Sequence, residues 1–266
     1  MLIAHATDSL DASDISFVHA VGIAARSDSS EIVTCRVTRG VPESHEPPNP
    51  ARLLERWNMA SARVSHRLLK CPLHDFIADE LIAACESVRP ELLIMATEAR
   101  TGGVHVREHS IAEAVARNVA VPSLLLPHGA AGLIDPQSGA LQLRRVLILG
   151  GSQSDTDLGI DAAAWFLRAA AVSSSVELSV LHAGKGSVAP VLSDTQGLSL
   201  KLSLQKGSVE RAVAGFVPQY QPDLIVSVSH GHDELLDILF ASHTERVLRL
   251  AKRPLLRIPP SFVCKS

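Results

Sequence analysis

Glu91-Leu92-Leu93-Ile94-Met95, running on to Val121-Pro122-Ser123-Leu124-Leu125-Leu126-Pro127, recurs as Asp223-Leu224-Ile225-Val226-Ser227 running on to Arg253-Pro254-Leu255-Leu256-Arg257-Ile258-Pro259. The offset does not slip. Ser110, Glu113, Val115, Arg117, Pro122 and Pro127 each meet the same residue type about 132 positions later, at Ser242, Glu245, Val247, Arg249, Pro254 and Pro259. At the amino ends, Leu2-Ile3-Ala4-His5-Ala6-Thr7-Asp8 is similar to Val146-Leu147-Ile148-Leu149-Gly150-Gly151 at a larger offset, so the first copy holds extra residues. The proline-rich stretch from Gly40 to Pro50 is the expected insertion.

Each copy reads as strands alternating with helices. In copy one, the apolar run Leu2–Thr7 precedes a helix over Asp14–Ala25 with Ile15, Val18 and Val21 on one face. Glu31–Thr38 reads as a strand, and Asp75–Val88 as a helix with Phe76, Ile77, Leu81, Ile82 and Cys85 at helical spacing. Leu92–Ala96 is a continuous apolar strand of the kind covered on both faces, followed by a helix over Ser110–Asn118 and a strand over Ser123–Leu126. Copy two repeats the order as Val146–Leu149, Asp157–Ala171, Val176–His182, Val209–Val217, Leu224–Val228, Ser242–Ala251 and Leu255–Ile258. Alternation of this kind predicts an α/β fold of doubly wound, mostly parallel sheets flanked by helices. The expected units are 1–128 and 144–260, joined by a linker over 129–143 where Gly129, Gly132, Asp135-Pro136 and Gly139 supply turn chemistry.

Composition narrows the function. The 266 residues are about twice an ordinary domain, and a 46% hydrophobic fraction fills two cores. A formal net charge of -3 leaves no broad basic footprint, so no nucleic-acid partner is expected. Cys35, Cys71, Cys85 and Cys264 form no close pair, which suits a reducing cytoplasm and buried thiols. No apolar run reaches the roughly 18 residues of a membrane span, and the amino end has no basic start leading into a long apolar stretch. The reading is a cytoplasmic protein without a membrane partner.

In a doubly wound sheet a ligand sits beyond the carboxyl ends of the strands, where strand order reverses. Those ends are Thr7-Asp8 and Ala96–Gly103 in copy one, and Gly150-Gly151 and Val228–Asp233 in copy two. A strand ending in Asp, a later strand entering a Gly-two-Gly turn, nine further residues and then Gly-Ser opening a helix is the layout of the universal stress protein family, which this chain resembles in its tandem-domain form. In copy one the turn positions are Ala96 and Ala99, nine residues intervene, and His109-Ser110 stands for Gly-Ser. In copy two they are Val228 and Gly231, again with nine between, before Ala241-Ser242. The likeness implies two α/β units facing each other across a pseudo-two-fold axis through Ser123–Leu126 and Leu255–Ile258. It leaves open a further homodimer of chains.

The resemblance also implies an adenine-nucleotide site in which the aspartate meets adenosine and the glycines let backbone N–H groups close on phosphates. Asp8 matches the aspartate, Ser110 and Ser242 match the serine, and Gly231 is the surviving motif glycine. Arg100 stands in the copy-one loop as a candidate anion contact, and Gly102-Gly103 offers a displaced cradle. Copy two has Gly151 where the aspartate belongs. A Cβ at a motif position of positive φ costs about 1 to 2 kcal/mol, so two or three losses weaken affinity by roughly ten- to a thousandfold. The sites read as degenerate, with copy one and Asp8 the better candidate for ATP or another adenine nucleotide.

Structural roles compete for the same residues. Asp8 also suits a helix N-cap or an Asx turn. Ser110 and Ser242 precede Glu113 and Glu245 by three residues, a capping-box pattern. Arg100 also suits contact with water alone, and Gly150-Gly151 close packing of a first helical turn. The chain is rich in histidine, with 12, and His230-Gly231-His232-Asp233 places two imidazoles and a carboxylate at the expected switch point, a weak zinc pattern. No nucleophile elbow, Walker loop or His-Glu-x-x-His helix is present. The leading expectation is a non-enzymatic stress-response or regulatory binding protein with an unidentified protein partner. The alternatives are an ATP-binding sensor with slow hydrolysis using Asp8, and a metal-binding protein or metal-dependent hydrolase using His230 and His232.

Overall fold

The computed structural model describes residues 1–7, 14–38, 48–60, 63–97, 111–183, 189, 198–205, 209–228, 247–248 and 250–263. Its first half runs β1 (Leu2–Ala6), α1 (Ile15–Ala24), β2 (Ser30–Thr38), α2 (Pro50–Arg56), β3 (Val64–Pro72), α3 (Ile77–Val88), β4 (Leu92–Thr97), α4 (Ile111–Asn118) and β5 (Ser123–Pro127). The second half runs β6 (Arg145–Gly150), α5 (Gln153–Ala169), β7 (Val176–Ala183), β8 (Leu198–Gln205), α6 (Val209–Tyr220), β9 (Leu224–Val228) and β10 (Leu255–Ile258), with helical backbone also at 247, 248, 250 and 251.

The strands form one ten-stranded sheet in the order β3-β2-β1-β4-β5-β10-β9-β6-β7-β8. The second half of that order mirrors the first. Every neighbouring pair is parallel except β5 and β10, which meet antiparallel with Leu125 opposite Leu255 and Ser123 opposite Arg257. The expected contact strands therefore do meet, as a continuous hydrogen-bonded ladder.

Side chains alternate across the sheet, and the alternation separates two cores that each run through both halves. One face carries Ile3, Ile94, Leu124, Leu126, Val146, Ile148, Val226 and Leu256, and it packs on α1, α2 and α5. The other carries Ala4, Cys35, Leu93, Leu125, Leu147, Ile225 and Leu255 against α3, α4 and α6. Cys35, Cys71 and Cys85 are buried free thiols, and burial pushes the Cys35 and Cys85 thiols up to about 12. Among the described residues no helix is long and apolar enough to cross a membrane.

Several local expectations change. The apolar spacing around Phe76 predicts a buried helical face, but α3 starts at Ile77 and Phe76 is 70% exposed at its N-cap. Residues 40–47 of the expected insertion lie outside the described residues, and the stretch from Pro50 onward, to which the sequence reading assigns no element, supplies α2 and edge strand β3. In Val64–Pro72 most residues are partly or fully exposed, and as an edge strand it lacks a continuous apolar run. β8 is the corresponding edge strand of the second half. Asn49 caps α2 by accepting from the Ala51 amide at 2.9 Å, with Pro50 in the first helical turn.

The 129–143 segment is packed, not free. Leu133, Ile134 and Leu143 join the core under α1, and Ile134 bridges Leu141. His19 on α1 holds it in place: Nδ1 donates to the Ile15 carbonyl at 2.6 Å, and Nε2 accepts the amides of Leu133 at 2.7 Å and Ile134 at 3.2 Å. Trp57 donates to the Pro136 carbonyl at 3.2 Å and Arg26 to that of Gly139 at 2.7 Å. Burial pushes His19 down to about 4, which keeps Nε2 an acceptor at neutral pH.

Candidate functional site

Strand order reverses between β1 and β4 in the first half and between β6 and β9 in the second. The register puts Ala6 beside Met95 and Leu149 beside Ser227. The roots of the two candidate loops are thus adjacent in each half: Thr7 with the end of β4, and Gly150-Gly151 with the end of β9. Asp8, Arg100, Gly102, Gly103 and Ser110 in the first half, and His230, Gly231, His232, Asp233 and Ser242 in the second, lie outside the described residues. Among the described residues no group of three or more His, Cys, Asp and Glu side chains could hold a metal ion.

At the first-half root the N-cap of α1 is Asp14. Asp14 accepts the backbone amides of Ser16 at 2.7 Å and Phe17 at 3.4 Å, together with the Ser16 hydroxyl. Its other oxygen accepts the Thr7 hydroxyl at 3.2 Å, tying the end of β1 to the start of α1.

Behind Asp14 lies a hydrogen-bond chain whose direction can be worked out. A carboxylate only accepts, so Ser16 donates to Asp14 and must accept from His5 Nε2, 2.9 Å away. His5 Nδ1 then accepts from Thr34 at 3.1 Å, and Thr34 accepts from His66 Nε2 at 2.9 Å. Both tautomers are set by that one anion. The fully buried His5 is pushed down to about 4 by desolvation, with Asp14 opposing and His66 reinforcing the shift; burial also lowers His66. None of His5, Asp14, Ser16, Thr34 or His66 stood out in sequence. His5 sits within an apolar strand, and only the pairing of β1 with β2 places it opposite Thr34.

The second-half root differs. Ser152 caps α5, accepting the Asp155 amide at 3.1 Å. A Cβ on Gly150 would lie 2.2 Å from Thr156 Oγ1, so the close-packing reading of that glycine holds. A Cβ on Gly151 would meet only Asp155 Oδ2, at 3.5 Å. On β7, opposite Gly150, His182 is 3% exposed; Nδ1 donates to the Gly150 carbonyl at 2.9 Å and Nε2 has no hydrogen-bond partner among the described residues.

A mostly parallel sheet with a switch point in each half defines the doubly wound α/β class. Residues 161–259 match the family model described as the Universal stress protein family. The whole chain is similar in fold to a universal stress protein from Archaeoglobus fulgidus DSM 4304, with a TM-score of 0.68 at 16% identity over 97% of this chain and 96% of that one. It is also similar to a functionally unknown protein from Pseudomonas aeruginosa PAO1, with a TM-score of 0.61 at 14% identity, covering 98% and 92%. A further likeness is to the cytoplasmic domain of a prokaryotic cation chloride cotransporter, with a TM-score of 0.53 at 12% identity, covering 97% and 95%. No curated protein matches the chain. The chain as a whole has the universal stress protein fold.

Proposed function

We propose that this is a non-enzymatic stress-response or regulatory binding protein of two tandem universal-stress-protein-like units, 1–128 and 144–260, whose adenine-nucleotide sites are degenerate. The observation that carries the reading is the mirrored strand order, which gives each half its own switch point. That is where an open α/β sheet takes a ligand. In its sequence the first half keeps Asp8 after the first strand and carries Arg100, Gly102, Gly103 and Ser110 between the fourth strand and the following helix. The missing motif glycines argue for weak binding, of use in sensing, and against efficient turnover.

An ATP-gated sensor using Asp8 is the second reading, favoured by the adjacent ends of β1 and β4 at the reversal of strand order. Titration calorimetry with ATP and magnesium, on the wild type and Asp8→Ala with metal analysis of the same preparations, tests these readings. Submillimolar binding lost in Asp8→Ala promotes the sensor. An absence of heat to millimolar ATP sinks nucleotide binding and turns the search to a protein partner. Stoichiometric zinc would instead promote the reading based on His230, His232 and Asp233.

A further inference from the structure

The two ends of the sheet differ in charge. β3 ends it in the first half and β8 in the second, and among the described residues no strand pairs with the outer side of either. β8 has a single charged residue in its sequence, Lys201, whereas β3 and the residue before it bring Arg63, Arg67 and Lys70. From Trp57 to His74 the chain holds no Asp or Glu. Cations on an edge oppose the joining of two like edges. The same cations favour an added strand that brings carboxylates.

The outer side of β3 is a regular ladder. Every residue of the strand pairs with β2, from Val64 beside Ser30 to Pro72 beside Thr38. The Leu73 amide donates to the Thr38 carbonyl at 3.0 Å. By alternation, Ser65, Arg67, Leu69 and Cys71 turn their backbone groups toward β2, while Val64, His66, Leu68 and Lys70 turn theirs away. Pro72, which has no N–H, closes the outward row. The edge is held from behind: His66 Nε2 donates to Thr34 at 2.9 Å, its ring stands edge-on to Phe17 at 5.6 Å, and Arg67 pairs with Glu31 at 2.6 Å. A preformed edge leaves only the incoming segment to be ordered.

Side chains give the ladder a pattern. Arg67 and Lys70 are exposed, and Leu68 and Leu69 between them are half-buried. Neighbouring residues fall on opposite faces, so each face of the edge shows one cation and one leucine. Lys70 lies directly across from Arg36 of β2, a like-charge pair that draws an anion. Glu31 already meets Arg67, which makes Lys70 the stronger anion contact.

We infer that β3 is a docking edge for a partner protein, taking an extended acidic segment as an eleventh strand, with a carboxylate, two apolar residues and a second carboxylate set against Arg67-Leu68-Leu69-Lys70. That pattern reads the same in both directions, so it admits parallel or antiparallel addition. The inference rests on the binding-protein part of the reading above, giving its partner a place and a chemistry, and it requires neither nucleotide site.

The test uses full-length protein and a fluorescein-labelled peptide, Ser-Thr-Glu-Val-Val-Glu-Thr-Ser, read by fluorescence anisotropy. Beside it run a rearranged peptide, Ser-Thr-Val-Glu-Glu-Val-Thr-Ser, and two forms of the first N-methylated at its odd or at its even residues. The first peptide should bind, and the rearranged one, whose acids face the leucines, should bind roughly tenfold more weakly. One methylated form should lose binding, because its ladder donors are gone. Lys70→Glu should weaken the first peptide roughly five- to tenfold, a Glu-Val-Val-Lys version should recover the loss, and an unchanged denaturant midpoint shows that the variant is folded. Hydrogen exchange at the amides of Val64, His66, Leu68 and Lys70 should slow when the peptide is bound. Equal binding of the two arrangements overturns the inference, as does full binding of both methylated forms, affinity unmoved by Lys70→Glu, or no binding to millimolar peptide. Each of these leaves the ATP titration and the nucleotide reading standing, whereas peptide binding without ATP binding keeps the inference and removes the nucleotide reading.

Discussion

The guanidinium of Arg257 on β10 donates to the backbone carbonyl of Val119 at 3.1 Å and to that of Arg117 at 3.4 Å, reaching from the last strand of the second half to the carboxyl end of α4 in the first. Arg257 is 2% exposed, and burial lowers it to about 10, still charged at neutral pH. It sits opposite Ser123 in the antiparallel β5–β10 ladder, so a buried cation caps a helix across the seam between halves.

Arg257→Met keeps much of the volume and removes the donors, leaving carbonyls buried. The expected loss is about 3 kcal/mol, read as a lowered denaturant midpoint. Arg257→Lys should recover only part of it, because an ammonium cannot present the planar fork. A midpoint unchanged in Arg257→Met would show that the seam is held by the ladder and the apolar cores alone.

Acid should weaken the fold through two buried histidines. His5 and His19 are each lowered from 6.5 to about 4 in the folded protein. The unfolded chain therefore binds more protons between those values, and stability is complete above pH 6.5 and is lost as pH falls toward 4. Each residue contributes up to ~3 kcal/mol to the loss. Urea unfolding at pH 7.5 and 4.5 measures it, and His19→Gln should flatten the dependence. For His19 the loss is concrete, since a protonated Nε2 can no longer accept the amides of Leu133 and Ile134.

The packed 129–143 segment predicts a contrast between two glycines of positive φ. Gly139 has φ +68 and an added Cβ would lie 2.5 Å from Trp57, whereas Gly129 has φ +73 with nothing within 4 Å. Gly129→Ala should cost only the left-handed backbone term of about 1 kcal/mol. Gly139→Ala should cost ~3 kcal/mol or more, as Trp57 is displaced from its bond to Pro136. Thermal melts of both variants check this, and equal shifts would mean that the segment is not clamped.

Much of the fold was legible in the sequence because it rests on local pattern. The apolar runs at Leu92 and Leu224 and the repeat that relates them predict parallel strands buried on both faces, and the structure has them. Edge strand β3 was not legible, since partial exposure along Val64–Pro72 removes the apolar run that marks a central strand. Phe76 misled for the opposite reason: it has helical spacing but sits one residue before the helix, in solvent.

The two reversals of strand order are also written in the sequence, because that order follows from the alternation of elements. Only the tertiary structure decided which buried polar groups meet. Asp14 opposite Thr7, His5 between Ser16 and Thr34, Arg257 on Val119 and His182 with an unmatched nitrogen depend on strand register and helix placement. Hydrogen bonding acts over about 3 Å between groups far apart in the chain. Residue type supplies the donor or acceptor, and packing alone determines whether it finds a partner.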